Sequence, residues 1–238
     1  MANGYSQSPR LLKGAIIQFS APLLVPIPNI IIFQYNPEKM TRTLTPWAPP
    51  APPPGGDDPK VEAALAQPYD PGETFSLSLE LDAADALEAP DTHPVASVFG
   101  VADRIAAIEM LLYPPGDSAL GGLVSAIGSA FGASVAVDVV PRKTVPVVLF
   151  FWGPGRIVPV RITSFSIDEQ AYSPTLYPIR AKATLGLKIL DAAAFGNDDS
   201  ATVKIAKACY TFTRAQKELL ALANVANSVE SIMGMLPL

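Results

Sequence analysis

Two stretches of the chain alternate apolar and polar side chains with a period of two, the pattern of a strand with one dry and one wet face. In "ETFSLSLELDA", Phe75, Leu77, Leu79 and Leu81 alternate with Ser76, Ser78 and Glu80. In "IRAKATLGLKIL", Ile179, Ala181, Ala183, Leu185, Leu187 and Ile189 alternate with Arg180, Lys182, Thr184 and Lys188, which gives that strand a basic outer face. A different pattern marks "TVPVVLFFWG", Thr144 to Gly153. It is apolar almost throughout and predicts a strand buried on both faces or lying on an interface. Its antiparallel partner is "GRIVPVRITSFSIDEQAY", reached across Gly153-Pro154-Gly155. Near the start, "KGAIIQF" (Lys13 to Phe19) and "IIIFQY" (Ile30 to Tyr35) predict a second hairpin, whose second strand stops at Asn36-Pro37.

Helical spacing appears twice. "HPVASVFGVADRIAAIEMLLYPPG" places Val98, Val101, Ile105, Ile108 and Leu112 on one face and predicts one packed helix, ended by Pro114-Pro115. From a cap at Asp199 or Ser200, the spacing continues over residues 199–236 and predicts a C-terminal helical tail. Between these elements lie a Pro/Gly-rich loop over 46–60 and a Gly/Ala-rich insertion over 116–140. The pattern therefore describes a mainly β (α+β) chain. A β-barrel or β-sandwich spans residues 11–190, residues 1–10 form a flexible start, and no internal repeat is apparent.

Composition narrows the function classes. Hydrophobic residues make up 49% of the 238-residue chain and charged residues only 16%, well below the usual quarter. Such a low charge content suits a chain that covers much of its surface with neighbours. The net charge is −5 and no Lys/Arg cluster occurs, which argues against nucleic acid as a partner. The lone Cys209 allows no internal disulfide or Cys-rich zinc site and reads as a small core residue in a helix. The lone His93 sits in a loop-like setting, "APDTHPVAS", and is not expected to be catalytic.

The N-terminal stretch is broken by Gly14, Gln18 and prolines and does not read as a signal peptide. The uncharged run Ser118 to Val137 has the length of a membrane span, but glycine, serine and alanine dominate it. We read it as an insertion, flexible or weakly helical, with a small-residue packing surface as the second reading; no membrane span is expected.

A search for convergent chemistry yields no catalytic, cofactor-binding or metal-ligating residues. Asp82, Asp85, Glu88 and Asp91 could pair as acid and base, but they fall in an alanine-rich turn that would leave them solvated. "GPGR", Gly153 to Arg156, joins two strands and lacks the Lys-Ser/Thr helix start of a phosphate loop. Asp57-Asp58 read as solvent charges and Asp198-Asp199 as a helix start. Trp47 and Trp152 do not gather on one face as a carbohydrate site would require. No enzymatic activity and no cofactor are expected.

The order of the pieces resembles the tube-type domain of contractile injection systems over roughly residues 11–190. The phrase "FQYNPEKMTRTL" supplies Phe33, Tyr35, Asn36 and Pro37 to the motif that closes an early strand in that family. Val160, Ser164, Ile167, Tyr172, Tyr177, Pro178, Arg180 and Ala181 match the run that closes its barrel. The resemblance implies an antiparallel tube-type β-barrel and a structural baseplate component, a six-fold ring adaptor that joins the inner tube to the spike and initiates tube assembly. It implies inner-tube, spike, other baseplate and sheath proteins as partners, and a homohexameric ring. The particle would be assembled in the cytoplasm, with release from the cell as a further step. An inner-tube protein of the same kind of particle and a non-catalytic ligand-binding β-barrel are the alternatives. Members often end in a peptidoglycan-binding LysM module, where this chain has a helical tail, and both insertions are long for the family.

Overall fold

A computed structural model of the chain describes residues 12–20, 27–48, 66–113 and 145–235. The 116–140 insertion, the first ten residues and nearly all of the proline-rich loop, including Asp57 and Asp58, lie outside them. Seven strands, β1 (Ala15–Ser20), β2 (Ile27–Ile32), β3 (Met40–Thr45), β4 (Gly72–Asp82), β5 (Val147–Phe151), β6 (Ile157–Tyr172) and β7 (Pro178–Ile189), form one antiparallel sheet. Its order is β2-β1-β5-β6-β7-β4-β3. Both predicted hairpins are present, and so is the predicted alternation. Phe75, Leu77, Leu79 and Leu81 of β4 and Ala181, Ala183, Leu185, Leu187 and Ile189 of β7 all point into the core. In β5, Val148, Leu149 and Phe150 are all buried, so this strand is covered on both faces.

The expected closed barrel is not what the backbone forms. Among the described residues the sheet is open, with β2 and β3 as unpaired edges. It is nonetheless strongly curled. A flat seven-stranded sheet would hold its edges about 29 Å apart. The link from Ile32 to Met40 could reach only about 28 Å if fully extended. It is bent at Gln34, Tyr35 and Glu38, so the edges must approach each other.

Two amide side chains complete what the ladder leaves undone. Gln34 Nε2 donates to the Asp82 carbonyl at 2.7 Å, while Gln34 Oε1 accepts the Asp82 N–H at 3.0 Å and a further bond from Arg104. On the other side, Asn36 Oδ1 accepts the Gly14 N–H at 2.8 Å and Asn36 Nδ2 donates to the Leu12 carbonyl at 2.8 Å. Each amide thus pairs as a peptide group would. The segment Phe33 to Asn36 is stitched between the start of β1 and the end of β4. Strand β2 accordingly stops at Ile32, earlier than the predicted Tyr35, because Phe33 turns into the core against Phe150. Gly14 lets this happen, since a Cβ there would lie 2.8 Å from both Phe33 and Trp152.

The single predicted helix is two short ones, α2 (Pro94–Phe99) and α3 (Ala102–Glu109), preceded by a single turn, α1 (Ala84–Leu87). Gly100 divides them. Its φ is +59°, and a Cβ would come within 2.1 Å of the Pro178 carbonyl oxygen, which accepts the Val101 N–H at 2.9 Å. The break rotates the apolar stripe. Val101, Ile105, Ile108 and Leu111 are buried, whereas the predicted Val98 and Leu112 are exposed.

The predicted tail is α4 (Ala201–Met235), capped by Ser200, whose Oγ accepts the Val203 N–H at 3.4 Å. Its first half lies against β5 and β6.

Replacing Gln34 with alanine should destabilise the fold by about 2–3 kcal/mol, because it removes its own bonds and strands the Asp82 peptide. Urea unfolding of the two proteins measures this directly; a shift below about 0.5 kcal/mol would show that the seam holds without it.

Candidate functional site

None of the sequence candidates for chemistry converges. Asp82 is structural: its Oδ1 accepts the Ala84 N–H and its Oδ2 the Arg180 Nε–H, each at 2.8 Å. The Ala84 bond, helped by Arg180, holds its carboxyl below the usual carboxylate range. Asp85, Glu88 and Asp91 are exposed in and after α1, and His93 is exposed at the start of α2. Gly153 to Arg156 is the β5–β6 turn, with Gly153 at φ +78° and Trp152 N–H donating to the Arg156 carbonyl at 2.8 Å. Trp152 stacks on Phe150 at 5.9 Å. Cys209 is half-buried on α4, and burial pushes its thiol up. Asp198 accepts the Ser200 N–H at 2.8 Å and so organises the α4 start. No group of three potential metal ligands occurs among the described residues, and no described helix is long and apolar enough to cross a membrane.

What the fold does assemble is a polar wall with open sides. Strands β3, β4, β7 and β6 run side by side in that order. Across their outer face the register sets Thr41 beside Ser76, Ser76 beside Gly186, and Gly186 beside Ser164. The neighbouring row is Ser78, Thr184 and Ser166. These side chains are small, polar and exposed or half-buried. Nearer one end, the rows are Glu80–Lys182–Asp168 and Asp82–Arg180–Gln170, so basic residues on the central strand are flanked by acids or an amide. Arg180 and Lys182 of the basic outer face predicted for β7 are thus offset by their neighbours, whereas Lys188 stands between Thr74 and Arg161, so the face stays basic at that end. Gly186 of β7 faces a β-bulge in β6 between Ile162 and Ser164, and a Cβ there would meet Ser164 Oγ at 2.3 Å.

Both lateral edges of this wall are unpaired among the described residues. On one side β3 carries no further strand. On the other, β5 pairs with β6 only at Ile157 to Val160, so β6 beyond that point presents a free edge. The β6–β7 hairpin ends in an exposed apolar tip. Tyr172 and Leu176 are exposed there, and Tyr177 meets Phe99 edge-on at 5.2 Å.

Helix α4 is locked to this wall by a buried charge. Glu73 is only 7% exposed, because it occupies the core-facing phase of β4 together with Phe75. Its Oε1 pairs with Arg42 of β3, and its Oε2 with Lys217 of α4 at 2.7 Å. Burial alone would raise the Glu73 carboxyl, but the two cation hydrogen bonds outweigh it and hold the group below its ordinary range. Arg156 lies 5.6 Å over the Phe75 ring, and its own pKa is lowered by burial and by the nearby Arg42. Beside this cluster, Asp70 takes bonds from Tyr210 Oη at 2.8 Å and from Arg214. Burial and the Asp70 carboxylate push the Tyr210 phenol up to about 12. Thr213, 2% exposed, donates to the Ile157 carbonyl at 2.7 Å and accepts the Ile157 N–H at 3.1 Å.

Sequence reasoning missed this latch, although one signal was there. Stepping the β4 alternation back from Phe75 puts an acid on the dry face, and a buried acid needs cations. Nothing local names Arg42 and Lys217 as those cations, since they come from distant parts of the chain.

No protein-family model matches the chain, and no curated protein matches it.

The Glu73 latch has a definite pH signature. A carboxyl depressed in the folded state adds stability that is complete above the unfolded pKa, near 4.5, and is lost as pH falls through the lower folded value. Glu73→Gln should therefore cost about 1–3 kcal/mol at pH 7, reduced from the fully buried case because both cations are partly exposed. That difference should shrink at acid pH below about 4. Denaturant titrations at a series of pH values check it, and a pH-independent difference would assign the loss to packing. Thr213→Val, nearly isosteric, should cost about 1–3 kcal/mol at every pH by stranding the Ile157 peptide, as the same titrations would report.

Proposed function

We propose that this chain is a structural ring subunit of a contractile, phage-tail-like particle: the baseplate adaptor that joins the inner tube to the spike and starts tube assembly. The observation that carries this reading is the wall β3–β4–β7–β6, whose two lateral edges are both open and face opposite ways. Exposed strand edges invite pairing, and soluble monomers usually blunt them. Joining the β3 edge of one copy to the β6 edge of the next is a head-to-tail contact, and such contacts close into rings when the rotation allows. Six copies joined this way would make a continuous inner barrel.

The outer face of the wall suits the lining of such a ring. A conduit surface must hold neither its cargo nor a second wall, and the rows of small hydroxyls across the middle of this face offer little grip. The wall lacks the flat apolar surface that a sheet-stacking partner would need. The hairpin tip around Tyr172, Leu176 and Tyr177 is instead the apolar end of the subunit, suited to axial contact with a neighbouring tube or spike ring. A ligand-binding barrel fits less well. The space enclosed by the curled sheet is filled by Phe75, Phe150, Leu79, Leu185 and Leu187.

The reading makes a direct prediction about the β3 edge. Thr41 and Thr43 are exposed and lie outside the core, so Thr41→Lys with Thr43→Lys should leave the unfolding midpoint nearly unchanged while blocking edge pairing. Electron microscopy of the purified wild-type protein should show closed rings that this double variant loses. Gentle isolation of the native complex should bring tube and spike proteins with the wild type. Rings that persist in the variant, or a wild type that is monomeric at all concentrations and brings no such proteins, would overturn the reading.

A further inference from the structure

The sheet turns two unlike faces outward. Across β3, β4, β7 and the far part of β6 it is the polar wall, which water can cover. Across β2, β1 and β5 it is apolar. The register there sets the rows Ile32–Ala15–Phe151 and Ile30–Ile17–Leu149, and Phe19 beside Val147 follows. These residues hold the strand phase opposite to Ile16 and Phe150, which face the core. Helix α4 covers only part of this face. It packs on β5 and β6, and Leu149 is 3% exposed there. Toward the β2 edge, Ile30 is 52% and Ile32 62% exposed, with Ile17 and Phe19 half-buried.

The path of the chain bears on what covers this ledge. Ahead of the insertion the described residues end at Tyr113, just past α3. Helix α3 lies beside β2 at its Ile32 end, since Arg104 donates to Gln34 Oε1 just beyond Ile32. The described residues resume at Val145, directly ahead of Val147. Val147 pairs with Phe19, and Phe19 with Pro28, at the opposite end of the same hairpin. Residues 114–144 therefore connect the two ends of the β1–β2 hairpin, about 20 Å apart for six-residue strands. Ile16, Phe33 and Phe150 fill the inner side, so the direct route crosses the outer one. Composition matches. Ser118 to Val137 contains no charged residue, Asp117 and Asp138 stand just outside it, and Leu120, Leu123, Val124, Ile127 and Phe131 recur at the spacing of one helical face.

We propose that the apolar residues of Ser118 to Val137 dock on the outer face of β2 and β1 of their own chain, as a second cover beside α4. One contact then removes two apolar surfaces from water, the ledge and the uncharged run. Any other occupant of the ledge would leave that run to find a cover of its own. The connection also favours the same chain, because both ends of the segment are already held at the two ends of the hairpin and little freedom is left to lose on docking. The proposal does not rest on sheet-edge pairing: it concerns a different surface and holds whether or not the wall forms rings.

The experiment is photocrosslinking in the full chain. A benzophenone amino acid replaces Ile30 or Ile32 on the ledge, and Ser76 on the polar wall as the control. Digestion and mass spectrometry should place the Ile30 and Ile32 adducts within residues 118–137, in chains that still run as monomers under denaturing conditions. Their yield should exceed that from Ser76 severalfold. No adducts to this segment, adducts to it only in crosslinked dimers, or an equal yield from Ser76 overturns the proposal. Stability gives an independent readout. Isoleucines on a bare face are nearly neutral to replace, so Ile30→Thr with Ile32→Thr should lower the urea midpoint only where the face is covered. The same pair should cause no further shift in a chain whose residues 118–137 are replaced by a Gly/Ser run of equal length. Equal shifts in both backgrounds, or none in either, overturn the proposal; the crosslinks decide alone where the replaced chain does not fold.

Discussion

The architecture depends on a sheet whose first and last strands come close without being joined by a backbone ladder. A curled sheet left that way would expose peptide groups along its seam. The chain meets this constraint with side chains that imitate peptides: Gln34 reaches one way to Asp82 and Asn36 the other way to Gly14 and Leu12. Thr213 does the same for Ile157 beneath α4. Each imitation costs rotamer freedom, which a true ladder would not demand. In return, the strand edges beyond the seam are left with their hydrogen-bonding groups open toward other molecules.

Much of the sheet was legible in the residues. The alternation in β4 and β7 identified nearly every inward side chain, because a period of two admits only one face for the core. The unbroken apolar run of β5 announced burial on both sides, and α4 supplies the second cover. Closure was not legible. Whether seven strands meet as a barrel or stop short is decided by register and curl, which no single strand encodes. The helix prediction failed at Gly100 for a local reason. Apolar spacing continues across that residue, but its backbone takes φ +59° and packs against the Pro178 carbonyl, which ends the helical turn there.

The candidate surfaces divide in the same way. "FQYNPE" stood out as a strand end without chemistry, and its amides prove to be the seam. The polar wall could have been read from Ser76, Ser78 and Thr184, each on the wet phase of its strand. The Glu73 latch could be read only halfway. The acid declares itself by its phase, whereas its cations come from an edge strand and a distant helix that meet only in the fold.

That latch has a thermodynamic corollary. Glu73 is one carboxylate shared by two elements that point at different neighbours: Arg42 belongs to the open edge of the wall, and Lys217 stands at the root of the free half of α4. To whatever extent a strand added along β3 alters the Lys217–Glu73 contact, that contact alters the affinity of the added strand by the same free energy. One carboxylate thus ties the outermost strand of the wall to the start of the exposed half of α4.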